Sequence, residues 1–194
     1  VASALQFAHD RNIVHRDIKP ANILIDEQDD RAVLCDFGLA RMIEGEDMEV
    51  TAALGSAPGT PAYMSPEQCL GTELDHRTDI YSLAVVAYEM LVGRSPFRGA
   101  HDTTESIKYK QVNEAPPPPR ELNPDLTRSA EAALLKALAK DPARRFQSVS
   151  NFVNALEAYT EAELPPEPTS SDVDLTVSPS EPTALPAQPW ARRR

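Results

Sequence analysis

Apolar positions recur along this 194-residue chain in several rhythms, and each predicts a different kind of element. Val1, Leu5 and Ala8 fall at helical spacing with Ala4 and Phe7 beside them, so Val1 to Asp10 predicts the last turns of a buried helix. Short β-like runs follow at Ile13-Val14, Ile23 to Ile25 and Ala32 to Cys35, with the turn-rich Asp26 to Asp30 between the last two. Gly38 to Tyr63 has little periodicity and predicts a long surface loop, and a loop that long in a compact domain is usually functional or mobile. Asp79 to Leu91 is apolar nearly all round and predicts the buried axis of the fold. His101 to Val112 predicts a polar helix. Thr127 to Lys140 predicts an amphipathic one, with Ala130, Ala133, Leu134, Ala137 and Leu138 on one side. Phe146 to Tyr159 predicts the last helix. Ala115 to Arg120 holds four consecutive prolines and is expected to be extended, since proline lacks the amide donor and fixes φ.

Composition changes this picture mainly at one end. Apolar residues make up 41%, enough for one domain with a real core, but seven of the 18 prolines fall between Glu161 and Arg194. That stretch is rich in Ser, Thr and acidic residues and has no Lys or Arg before Arg192. Residues 161–194 are therefore expected to be a disordered tail behind an ordered domain of residues 1–160. The net charge of -11 argues against a nucleic-acid partner, because a phosphate-binding surface needs surplus Lys and Arg. Cys35 and Cys69 form neither a disulfide framework nor a metal-spacing pattern, which suits a reducing cytosol. No run of about 18 apolar residues is present in the sequence. His9, His76 and His101 lack metal-like spacing and are expected at the surface.

The chemistry is concentrated in His15-Arg16-Asp17-Ile18-Lys19-Pro20-Ala21-Asn22, followed by Asp36-Phe37-Gly38. Further on come Gly59-Thr60-Pro61-Ala62-Tyr63-Met64-Ser65-Pro66-Glu67, then Asp79 opening the apolar run, then Arg145. Taken singly, Asp17 suits a turn, Asn22 a strand-edge cap and Asp36 a strand end. In this order and spacing, over residues 1 to about 160, the set resembles the eukaryotic-type (Hanks-type) serine/threonine protein kinases, with wording closest to their bacterial branch. The resemblance implies an α+β, mainly α fold: the C-terminal lobe of the protein-kinase-like fold, with short catalytic-site β-hairpins and without the N-terminal lobe. It implies ATP and Mg²⁺ as cofactors and the Ser/Thr hydroxyls of protein substrates as acceptors.

Phosphoryl transfer needs the phosphates of ATP neutralised and held in line with the acceptor hydroxyl. Mg²⁺ is a hard ion that wants oxygen ligands, and Asp36 offers a carboxylate and Asn22 an amide oxygen from adjacent strand ends. Asp17, five residues before Asn22, can face the same cleft. By resemblance Asp17 orients and accepts the substrate proton, Lys19 reaches the γ-phosphate, and Thr60 is a structural hydroxyl near Asp17. Leu24 forms the floor under adenine, and also reads as a core strand residue. His15 and Phe37 stack in a hydrophobic column, with Gly38 completing the metal loop. Asp79 accepts hydrogen bonds from the catalytic-loop backbone or caps its helix. Glu67 and Arg145 form a buried ion pair. Arg16 is the expected receiver of an activating phosphate, with Thr51 the first candidate phosphosite and Ser56 the second.

Two positions depart from the family pattern, Ala84 where Gly is usual and Ser65 where Ala is common. The Gly-rich loop, the strand lysine and its glutamate partner are absent from this sequence, so it is expected to be a truncated kinase, inactive alone. Two other classes compete: a pseudokinase scaffold, against which the intact Asp17, Lys19, Asn22 and Asp36 speak, and a small-molecule phosphotransferase, which has no need of Glu67 behind a peptide-cradling segment. The proline run suits a rigid loop better than a ligand for a proline-reading module. Finally, Pro189-Trp190-Ala191-Arg192-Arg193-Arg194 resembles the cytoplasmic flank of a membrane span, so a membrane anchor beyond Arg194 is expected, with the catalytic domain cytoplasmic.

Overall fold

In the computed structural model, residues 1–26, 28, 29, 31–37 and 61–157 are described. By its contacts the chain divides into Val1–Glu163 and Leu164–Arg194, and all the described residues lie in the first unit. The Thr51, Ser56, Thr60 and Gly38 expectations, and the tail, fall outside the described residues.

Helix α1, Ala2–His9, buries Leu5 and Ala8. It ends where Asn12 takes a left-handed φ of 56° and the Ile13 amide turns back to the Ala8 carbonyl, 3.0 Å away. Ile13-Val14 is consequently not a strand, contrary to its β-like composition. The chain next makes one antiparallel hairpin, β1 (Ile23–Asp26) and β2 (Arg31–Leu34), with Ile23 opposite Leu34 and Asp26 opposite Arg31. It is the only hairpin among the described residues. Ile23 and Leu34 face the core. Leu24 does not: it is 56% exposed, which corrects its reading as a core residue. Side chains alternate across a strand, so only one face of a two-stranded ribbon meets this core.

Helix α2, Pro66–Leu70, was too short for periodicity to signal. Its caps explain it. Ser65 Oγ accepts from the Gln68 amide and Gln68 Oε1 accepts from the Ser65 amide, a reciprocal capping box, and Gly71 closes the helix at φ 64°. Helix α3, Arg77–Val92, starts two residues before the apolar run. The Asp75 carboxylate accepts from the Arg77 amide at 2.8 Å, so Asp79 sits inside the first turn and is not the N-cap. Ile80, Tyr81, Ala84, Val85 and Tyr88 on α3 are fully buried, which makes it the axis of the unit. Ala84 packs in this core without strain that would demand glycine.

Helix α4, Thr104–Asn113, begins three residues later than the expected polar helix because Thr103 caps it, Oγ1 accepting from the Ser106 amide. The proline run is not extended throughout. Pro119 opens a single turn, α5 (Pro119–Leu122), since proline fits the first helical position, where no amide donor is needed. Helix α6 spans Arg128–Ala137 behind its Thr127 cap, and α7 spans Val149–Glu157, leaving Phe146 in the preceding loop. Leu134, Val149 and Phe152 complete the core with Leu5 and Tyr81.

One buried polar chain fixes the segment entering α2. Tyr81 Oη donates to Gln111 Oε1 at 2.6 Å, and Gln111 Nε2 donates to the Ala62 carbonyl at 2.7 Å. Lys140 Nζ donates to the Gln111 carbonyl at 2.6 Å, and burial, with Arg145 nearby, pushes its ammonium down to about 8. No helix among the described residues is long and apolar enough to cross a membrane.

Candidate active site

Residues 15–22 have no regular structure until the turn Pro20–Asn22, so their shape depends on side chains from elsewhere. Asp79, wholly buried on α3, supplies most of that. Its Oδ2 accepts from the His15 amide and its Oδ1 from the Arg16 amide, each at 2.7 Å. His9 Nε2 lies 2.8 Å from Oδ2 and must carry the proton there, because a carboxylate only accepts. His9 is thus nearly buried, not at the surface as its sequence context suggested. Its spacing from Asp79 carried no signal, since the pair is 70 residues apart. His76 does lie partly exposed, with its ring against that of His9 and Nε2 near the Gln147 carbonyl. His101 is exposed.

The loop is strained where it is held. Arg16 has φ 68°, a left-handed conformation that disfavours a side chain by about 1–2 kcal/mol. Its carbonyl accepts from Gln68 Nε2 at 2.6 Å. Next to it, the Asp17 amide donates to His15 Nδ1 at 3.2 Å, while His15 Nε2 donates to the Cys35 carbonyl at 2.9 Å. The same imidazole, fully buried, meets Phe37 edge to face at 4.7 Å. His15 therefore ties the loop to the end of β2.

Asp17 emerges from this frame with a side chain 53% exposed. Lys19 Nζ donates to its Oδ2 at 2.7 Å, and Asn22 Nδ2 donates to the same oxygen at 3.0 Å and to the Asp17 carbonyl at 2.8 Å. With both donors of its amide turned to Asp17, buried Asn22 has its Oδ1 left as an acceptor. The hairpin brings Asp36 to the same end: the Cys35 amide donates to the Asn22 carbonyl at 3.0 Å, and Asp36 follows with φ 62°. The Cys35 thiol also donates to the Asn22 carbonyl, at 3.3 Å. Leu24, one residue into β1, presents an exposed apolar side chain beside this end.

The oxygen pair of Asn22 and Asp36 has the hardness Mg²⁺ prefers, and that ion commonly takes one or two protein groups and fills its shell from phosphate and water. No cluster of three or more His, Cys, Asp or Glu able to hold a metal occurs among the described residues. Two such oxygen ligands on one hairpin end are the complement that Mg²⁺ takes when phosphate supplies the others.

Behind it, Glu67 and Arg145 form a buried fork: Nη1 donates to Oε1 at 2.6 Å and Nη2 to Oε2 at 2.7 Å. Thr78 adds a third bond to Oε1 at 2.8 Å. Burial pushes the Glu67 carboxyl up, but the hydrogen bonds and charge of Arg145 outweigh it and hold the group below its ordinary value. Arg145 also donates to the carbonyls of Ala139, Lys140 and Arg77, stapling the start of α3 to the loop before α7. Two structural residues were missed in the sequence, His9 and Gln68. The second had a readable signal, the Ser-x-x-Gln capping box.

Residues 1–156 match the family model for the protein kinase domain. The serine/threonine-protein kinase PknB of Mycolicibacterium smegmatis is 38% identical over 98% of this chain and 29% of its own length. That of Mycobacterium tuberculosis is 41% identical over 85% of this chain and 26% of its own. Thus the chain spans less than a third of the curated relatives it matches. Among solved structures, the kinase domain of Mycobacterium tuberculosis PknI superposes with a TM-score of 0.57 at 30% identity, covering 81% of this chain and 50% of that one.

Proposed function

This chain belongs to the protein kinase domain family, of the bacterial serine/threonine type, and from that premise we propose that it is the C-terminal lobe of an enzyme moving the γ-phosphate of ATP to Ser/Thr hydroxyls of proteins. The observation that carries this reading is the Asp17–Lys19–Asn22 cluster at the same hairpin end as Asp36. Asp17 is exposed enough to meet an acceptor hydroxyl and takes its proton. Lys19, held against Asp17 at 2.7 Å, would supply positive charge to a transferring phosphoryl group. Asn22 Oδ1 and the Asp36 carboxylate would hold Mg²⁺, which when bound neutralises phosphate charge. Leu24 would pack under adenine. Thr60 would support Asp17, and phosphate on Thr51 or Ser56 would organise the activation segment. The domain ends near residue 160 in this reading.

The rest of the nucleotide site is to be supplied by an N-terminal lobe encoded upstream, which fits the exposed apolar residues Phe7, Leu24, Ile25 and Phe37. The 194-residue chain alone is accordingly inactive. The Trp190 to Arg194 cluster supports a membrane anchor beyond Arg194, with the catalytic unit cytoplasmic. Sequencing the complete reading frame tests both extensions. A Gly-rich loop and a strand lysine are expected upstream and a run of about 20 apolar residues downstream; an upstream region lacking loop and lysine would overturn the kinase-lobe reading.

A further inference from the structure

The Gln68 side chain is shared between two tasks. Its Oε1 accepts from the Ser65 amide at 2.9 Å, closing the cap of α2, while its Nε2 donates to the Arg16 carbonyl at 2.6 Å, 52 residues away in sequence. Arg16 is the left-handed residue of the catalytic loop, and Asp79 Oδ1 already holds its amide at 2.7 Å. Both peptide groups flanking that strained residue are therefore gripped by side chains, one from α3 and one from α2. The second of these peptides leads directly into Asp17. Gln68 also lines a small cavity of about 30 Å³ together with Asp17, Lys19 and Tyr63.

The geometry points to Gln68 as a positioning residue that couples α2, the helix following the activation segment, to the orientation of Asp17 through the Arg16 carbonyl. This rests on the kinase reading above. The docking of α2 then feeds into the loop along one hydrogen bond: where α2 is docked, the Arg16–Asp17 peptide is held; where it is displaced, Arg16 can relax toward an ordinary φ and Asp17 turns with it. Ser65 shares the cap without touching the loop, since its side chain accepts from the Gln68 amide and its own amide donates to Gln68 Oε1.

Gln68→Glu separates the two tasks. Glutamate at the third helical position still accepts from the Ser65 amide, which is the usual form of the capping box, but the ionised group cannot donate to Arg16. In the complete protein, Gln68→Glu is expected to lower kcat about tenfold, the weight of one buried hydrogen bond, with KM for ATP near wild type and the melting temperature lower by no more than a few degrees. Amide hydrogen exchange across residues 15–19 is expected to speed up in the same variant, whatever the catalytic outcome. Ser65→Ala is expected to do the reverse, lowering the melting temperature while keeping kcat and exchange in the loop. Unchanged exchange across residues 15–19 in Gln68→Glu overturns the coupling. So does a kcat loss that merely tracks melting temperature in both variants. An inactive wild type would instead sink the kinase reading, and the exchange measurement would still decide the role of Gln68.

Discussion

Asp17→Ala and Asp36→Ala are each expected to abolish phosphate transfer by the complete protein, and to do so in different ways. Asp17 is the exposed carboxylate at the centre of the Lys19 and Asn22 hydrogen bonds, and a positioned general base is worth about 10²–10⁴-fold in rate. Its removal should lower kcat by that order while ATP still binds, because Asp17 itself holds neither phosphate nor metal in this proposal and Asn22 keeps its bond to the Asp17 main-chain carbonyl at 2.8 Å. Asp36 contributes the only carboxylate of the proposed metal pair. Its loss should raise the Mg²⁺ concentration needed for nucleotide binding as well as remove turnover. Titrating Mg²⁺ against nucleotide affinity in both variants separates them. If either variant kept near-normal turnover on a protein substrate, the assignment of that residue would be wrong.

Glu67→Ala is expected to produce the largest loss of stability. It would leave the Arg145 guanidinium buried with three carbonyl bonds but no counter-charge, an arrangement that typically costs about 3–5 kcal/mol. The double variant Glu67→Met with Arg145→Met should recover part of this, since two apolar side chains leave no orphaned charge there. The same pair has a signature in acid. The folded state holds the Glu67 carboxyl below its ordinary value, so the unfolded chain binds the proton more readily as pH falls. The stability from this pair is therefore fully present above the ordinary glutamate pKa of about 4.5 and is lost as pH drops through the lower folded value. Urea unfolding of wild type and Glu67→Gln at a series of pH values checks it. A difference between the two that stays constant down to pH 3 would contradict the linkage.

Much of this site was legible because its chemistry lies in short contiguous motifs. His15 to Asn22 and Asp36-Phe37 are each close in sequence, and one hairpin of two four-residue strands is enough to bring them together. The buried axis was legible for another reason: Ile80 to Tyr88 is apolar nearly all round, which suits a central helix. What escaped depends on long-range pairing or on caps. His9 is drawn to Asp79 across 70 residues, and nothing in its local pattern marks it. The starts of α3 and α4 are set by the Asp75 and Thr103 side chains, so the sequence pattern placed them two or three residues off, while that of α6, capped by Thr127, it placed within one residue. Ile13-Val14 has β-branched composition but no partner strand among the described residues, and propensity without pairing does not make a strand. The one-turn helix at Pro119 shows the opposite case, where the residue expected to bar a helix starts one.

The most direct measurement is phosphoamino-acid analysis of a protein substrate incubated with the complete protein, Mg²⁺ and γ-labelled ATP, with Asp17→Ala run alongside. Phosphoserine or phosphothreonine that forms with wild type and disappears with Asp17→Ala is the predicted result. Nucleotide binding by a well-folded wild type without any labelled Ser or Thr would contradict the account and favour a scaffold built on the same fold.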